Sequence, residues 1–236
     1  MIKITDVKKM FNKEDGITNI SIEFEQGKIY GLVAPNGSGK STLLKSIVGL
    51  YLIDRGNIMI KGVSNQNDLH KTVSFMPDSL EYAPNLTLRN IVNFLSKVYD
   101  DLDREKCYKY IRAFEINDEK KYSKLSKGQK MVFRFICTIS RDVPIYIFDE
   151  PLSGMDPVHK RIVLEEVLVE LNDEDKTIII SSHDLLEIEN FIDTAVVLKN
   201  GLLEGIYDVG ELKQKFNQSL NDWFLDKFKF DLNMDK

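Results

Sequence analysis

Two cysteines, one tryptophan and three histidines in 236 residues leave little material for several classes of protein. Cys107 and Cys137 have neither the spacing of a metal site nor that of a disulfide framework, which suits a reducing compartment. Cys137 stands among Phe135, Ile136 and Ile139, a setting for packing rather than reactivity. No apolar run approaches the roughly 18–20 residues that a membrane helix needs. The N-terminal Met1-Ile2-Lys3-Ile4-Thr5-Asp6 also lacks the apolar stretch of a secretory signal. A cytoplasmic protein is expected, with any membrane role exercised at the inner face through a partner. The net charge of −5 removes the electrostatic reason to expect nucleic acid. Heptads, internal repeats and low-complexity tracts are missing as well. What remains, 43% hydrophobic and 29% charged residues, is enough to bury a globular core.

The apolar positions indicate an α/β chain. Ile20, Ile22 and Phe24 alternate with Ser21, Glu23 and Glu25, the period of a half-buried strand, before a turn at Gln26-Gly27. A second strand pair is expected between Gly56 and Gly62, and a buried strand over Val73–Met76, stopped by Pro77. From Leu86 to Arg141 the pattern turns helical, with Thr87 as a cap candidate. Ile145–Phe148, a helix over Val158–Leu171 and the run Thr177–Ser182 follow, then a hairpin around Lys199-Asn200-Gly201. Strands apolar on both faces and separated by helices predict a mostly parallel sheet covered on both sides. The N-terminal part reads as antiparallel β structure, and residues 84–141 as a helical insertion.

Four places carry chemistry. The stretch Gly31 to Leu44 leads from an apolar strand through Ala34-Pro35-Asn36-Gly37-Ser38-Gly39 into a helix that starts with Lys40-Ser41-Thr42. Glycines there let backbone N–H groups surround an anion, the helix start adds partial positive charge, and Lys40 adds a full one. Ser41 offers a hydroxyl where a magnesium ion would sit on phosphates. Ala34 occupies the place of the first glycine of the general phosphate-loop pattern. Asp149-Glu150 ends an apolar strand, either as a solvated acidic loop or as a metal ligand beside a general base. His183 follows another such strand, either as a polar terminus or within reach of a terminal phosphate. Ser126-Lys127-Gly128-Gln129 opens a helix, as an ordinary cap or as a second anion site.

Taken together, these motifs resemble the nucleotide-binding subunit of an ABC transporter. The phosphate loop Ala34–Thr42, the signature Leu125–Gln129, the strand Ile145–Glu150, the loop Pro151–Pro157 and Ser181–Asp184 follow in that family's order. The resemblance spans about residues 2–212 and implies a phosphate-loop NTPase core with ATP and Mg2+ as ligands. It assigns phosphate to Ala34, Pro35, Asn36, Gly37, Ser38, Gly39, Lys40, Ser41 and Thr42, magnesium to Ser41 and Asp149, general-base action to Glu150 and γ-phosphate contact to His183. Ser126, Gly128 and Gln129 would act on the nucleotide of a second subunit paired head to tail. Phe11 falls where the family stacks an aromatic on adenine, although it also reads as a core aromatic. Asp78 stands where the family ends a strand with glutamine, and a metal role carries over to it. Lys127 replaces a signature glycine. Residues 213–236, with Leu220, Trp223, Phe224 and Phe228 on one helical face, resemble the tail of export-type drug or bacteriocin subunits. The expected activity is ATP hydrolysis that drives transport, of the export type, through a separate permease subunit. A soluble ATPase of this type acting on ribosomes or DNA is the alternative.

Overall fold

In a computed structural model the described residues are 1–13, 15–62, 66–171, 175–183, 185–216 and 222–224. Strands β1 (Ile2–Met10), β2 (Gly16–Phe24) and β4 (Arg55–Ile60) form an antiparallel sheet in the order β2-β1-β4. The Gly56–Gly62 segment is therefore one strand and not a pair of its own. Its partner is β1, with Ile4 opposite Ile58.

The second sheet has the order β5 (Val73–Met76), β6 (Ile145–Asp149), β7 (Thr177–Ser182), β3 (Ile29–Val33), β8 (Thr194–Lys199) and β9 (Leu202–Asp208). All neighbours are parallel except β8 and β9, which form the expected hairpin. Buried strands of this kind cannot leave either face in water, and side chains alternate between two cores. Tyr30, Leu32 and Ala34 pack with Leu43, Leu44 and Ile47 of α1 (Lys40–Ile47) and with the antiparallel sheet. Ile29, Val33, Tyr146 and Phe148 pack on the other side, against the helices.

The helical stretch contains α2 (Leu88–Val98), α3 (Arg104–Ala113) and α4 (Lys127–Ile139). Thr87 caps α2 by accepting the Asn90 N–H at 3.2 Å, as its position suggested. Arg141, just beyond α4, is buried and forms a two-pronged ion pair with Asp101, at 2.7 Å for each prong. It fixes this stretch to β5 through the Val73 carbonyl. The expected helix 158–171 is built as α5 (Pro157–Arg161), a π-helical segment Ile162–Val167 and α6 (Leu168–Leu171). The hydrophobic repeat reveals the helix but not its change of winding, because buried Val163, Val167 and Leu168 suit either. After α7 (Leu185–Ile188) and β9 comes α8 (Val209–Phe216). In the C-terminal tail, Trp223 and Phe224 pack against the helical core, and the Trp223 ring stands edge-on to Tyr207 at 4.5 Å. Leu220 and Phe228 lie outside the described residues, as does Asp184.

Candidate nucleotide-binding site

Register alone gathers the chemistry at one edge. In the parallel sheet Asp149 lies opposite Ser181 and Val33 lies opposite Ser182, so Ala34, Glu150 and His183 emerge side by side at the strands' C-terminal ends. That edge is where open α/β sheets bind ligands. A cleft of about 550 Å³ opens there, lined by residues 36–42 together with Phe11, Asp78, Lys127, Arg134, Glu150, Ser153 and His183.

The loop between β3 and α1 is shaped for an anion. Gly39, immediately before the helix, has φ +95°, and a Cβ there would sit 2.5 Å from Ile17. Only glycine fits, and among the described residues no side chain caps the free N–H groups of α1. Ala34 is buried in the core and does not take a left-handed backbone, so the departure from glycine costs nothing there. The Lys40 ammonium donates to the Ala34 carbonyl at 2.8 Å and lies 3.4 Å from Glu150 Oε1.

Glu150 itself has φ +52°, an uncommon conformation for this residue. Its other carboxylate oxygen meets His183 Nδ1 at 2.8 Å. Glu150 therefore holds both groups that the sequence expects on phosphate. Asp149 is fully buried, and the Ser181 hydroxyl ties the pair: it accepts the Glu150 N–H at 2.9 Å and donates to Asp149 Oδ1 at 2.8 Å. Among the described residues, Asp149 Oδ2 is buried and has no hydrogen-bond partner. Burial raises the Asp149 carboxyl above the usual carboxylate range, against the pull of the Ser41 and Ser181 hydroxyls. An orphaned carboxylate oxygen beside a serine hydroxyl is a donor set that fits a hard divalent cation.

Asp78 also reaches the cleft, but Oδ1 is committed to Lys45 at 3.1 Å and to the Ser79 N–H at 2.8 Å. Although its partial burial opposes this, Lys45 and Ser79 hold its carboxyl below the ordinary value. Lys45 is a residue that sequence reasoning missed; one helical turn past Ser41, it carried no motif. Arg134 was missed likewise: buried in α4, it donates to the Asp78 and Leu80 carbonyls, both at 3.2 Å.

Phe11 is 54% exposed and meets Tyr51 edge-on at 5.1 Å, so it is no core aromatic. Ser126, Gly128 and Gln129 are not among the residues lining the cleft. Ser126 and Gln129 form a reciprocal cap at the start of α4, with Gln129 N–H to Ser126 Oγ at 3.1 Å and Ser126 N–H to Gln129 Oε1 at 3.2 Å. Gly128 is required by close approach: a Cβ there would lie 2.9 Å from the Gly154 carbonyl. Gly128→Ala is expected to lower stability by about 1–3 kcal/mol through this overpacking, read from urea midpoints. An unchanged midpoint would show that the two loops do not touch.

The sequence pattern of the ABC transporter family matches residues 17–153, more than half of the chain and inclusive of the phosphate loop, the signature and Asp149-Glu150. The chain belongs to the ABC transporter family. ATP binding and hydrolysis come with that membership. Among relatives, the ABC transporter ATP-binding protein YtrB of Bacillus subtilis is 28% identical over 92% of this chain and 75% of its own length. The lantibiotic transport ATP-binding protein SrtF of Streptococcus pyogenes is also 28% identical, over 93% of this chain and 97% of its own. Of solved structures, an ATP-binding subunit of an ABC transporter superposes with a TM-score of 0.81 at 23% identity, covering 96% of this chain and 98% of that one. That similarity supports the ABC fold: a parallel sheet flanked by a separate antiparallel sheet and helices. Among the described residues no helix is long and apolar enough to cross a membrane.

Proposed function

We propose that this ABC protein is the ATPase subunit of an exporter: two copies close head to tail on ATP, and that closure drives a separate membrane permease. The observation that carries the reading is the meeting of Lys40, Ser41, Asp149, Glu150 and His183 at one sheet edge, with Ser126, Gly128 and Gln129 of the signature outside the lining of the cleft there. A site split in this way needs a second subunit to complete it. Export is favoured by relatives named for lantibiotic transport and for SkfA peptide export.

In this reading Phe11 stacks on the base and residues 34–42 wrap the phosphates, with Lys40 released from Glu150 to meet them. Ser41 and Asp149 would hold Mg2+, with Asp78, engaged by Lys45, as a further carboxylate beside it. A bound Mg2+ would supply charge neutralisation on the phosphate oxygens. Glu150 accepts the proton of the attacking water, and His183 moves from Glu150 to the γ-phosphate. Ser126, Gly128 and Gln129 act from the partner copy, where the Ser126 cap keeps the helix start exposed.

The output surface is the segment after β5. Lys45 fastens it to the phosphate helix, while Arg134 and the Lys130–Glu81 pair at 2.8 Å fasten it to the signature helix. Leu80, Leu86 and Phe94 stand exposed along it, an apolar face for a permease. The N-terminal 1–212 unit works at the inner membrane face through that contact alone. Light scattering tests the core of the proposal: purified protein is expected to double its mass with ATP when Mg2+ is withheld, and to return to a monomer when Mg2+ is added and phosphate is released. A mass that ignores ATP refutes it.

A further inference from the structure

Phe11 lines the cleft with more than half of its surface exposed, yet stacking on a base needs a ring held in one plane. What holds it lies outside the cleft. Gly49, at φ +72°, turns the chain back after α1, where the Leu50 and Tyr51 N–H groups both donate to the Lys45 carbonyl, at 2.8 and 3.2 Å. The turn delivers the Tyr51 ring to Phe11, edge-on, with an interplanar angle of 77° and centroids 5.1 Å apart. Three residues further on, Asp54 is fixed to β1 twice. Its N–H donates to the Lys8 carbonyl at 2.7 Å, and its Oδ2 accepts the Met10 N–H at 2.7 Å. Asp54 Oδ1 also holds the Lys9 ammonium at 3.3 Å, and that ammonium stands 5.6 Å from the centre of the Phe11 ring. Among the described residues the Tyr51 hydroxyl forms no hydrogen bond, and Tyr51 does not line the cleft. This position therefore uses the ring and not its polar end.

We infer that Tyr51 is a positioning residue for the nucleotide base: together with Asp54 it braces Phe11 against α1, the helix that follows the phosphate loop, so that ring and phosphate site keep one separation. The inference rests on the stacking of Phe11 on the base stated above. Fixing the ring before the nucleotide arrives removes the cost of ordering it on binding. The brace thus acts on the base half of the nucleotide and leaves the phosphate half untouched.

The test uses the full chain without Mg2+ and two probes: ADP, which carries a base, and inorganic pyrophosphate, which does not. Calorimetric titration reads the first, and displacement of a fluorescent ADP reads the second. Tyr51→Leu is expected to weaken ADP about three- to tenfold, the worth of an aromatic pair, and to leave pyrophosphate affinity unchanged. Tyr51→Phe should bind both as the parent does. Phe11→Ala should weaken ADP alone, and adding Tyr51→Leu to it should cost nothing further, since both act through one ring. Asp54→Ala, which spares both rings but releases the end of β1, should show the same split as Tyr51→Leu. Circular dichroism confirms that each variant is folded, and Asp54→Ala carries the test if Tyr51→Leu does not fold. Parent affinity for ADP in these two variants overturns the inference. So does an equal loss for pyrophosphate, which would make Tyr51 a support of the phosphate loop, or a further loss in the double variant, which would make it act apart from Phe11. If Phe11→Ala itself binds ADP as the parent does, the stacking reading falls, and the inference with it.

Discussion

Glu150→Gln is expected to lower ATP hydrolysis by about 10²–10⁴-fold, the usual worth of a positioned general base. The carboxylate lies where two things meet: Lys40 at 3.4 Å on one oxygen and His183 at 2.8 Å on the other. Its backbone, at φ +52°, is fixed by the N–H bond to Ser181 Oγ, so the side chain is aimed by the strand end and not by chance. Glutamine keeps the shape and can still accept a hydrogen bond from Lys40 and His183, but it cannot accept the proton of an attacking water. It also removes the negative charge that competes with ATP for Lys40. Hydrolysis and nucleotide retention should therefore separate: phosphate release in a single turnover falls, while ATP stays bound. A variant that releases phosphate at the parent rate would place the base elsewhere.

Much of the fold was legible because buried parallel strands are written without ambiguity. Ile145–Phe148 and Thr177–Ser182 have no polar face, and such runs fit only the middle of a covered sheet. Once they pair in parallel, register carries Asp149 to Ser181, and the site edge follows. Strand β4 reads in the sequence as a pair because glycines at both ends look like turns, whereas one of them, Gly56, packs against the backbone of its partner β1. Gly128 gave a true signal with an unknown object: the sequence says that something comes close, and the structure says that it is the Gly154 carbonyl. The Lys45–Asp78 and Arg134–Asp78 links were not legible. Both join residues far apart in sequence through long side chains, which have no periodicity and could reach many partners. Phe11 shows the limit most plainly, since its neighbour Met10 is partly buried while Phe11 faces the cleft, and the two positions differ only in the parity of a strand end.

Asp149→Asn is expected to act in opposite directions on stability and on activity. The folded protein raises this carboxyl above its ordinary value of 3.8, chiefly through burial. Between the unfolded and folded values the native state holds the proton more tightly, so stability falls as pH rises through that window and the deficit persists at neutral pH. An asparagine carries no charge to desolvate. It keeps an oxygen for the Ser181 hydroxyl and places an amide where Oδ2 has no hydrogen bond. The nucleotide-free variant is therefore expected to gain about 0.5–2 kcal/mol at pH 7, with a flatter acid limb in its melting profile. The same change deletes the anionic ligand that we assign to Mg2+, and hydrolysis should fall by at least about 10²-fold. Calorimetry from pH 4 to pH 8, with and without ATP and Mg2+, reads both effects in one series. The parent should gain stability from adding Mg2+ to ATP, and the variant should gain much less. If the variant is less stable at pH 7 while keeping its response to Mg2+, Asp149 is a structural carboxylate and the metal lies elsewhere in the cleft.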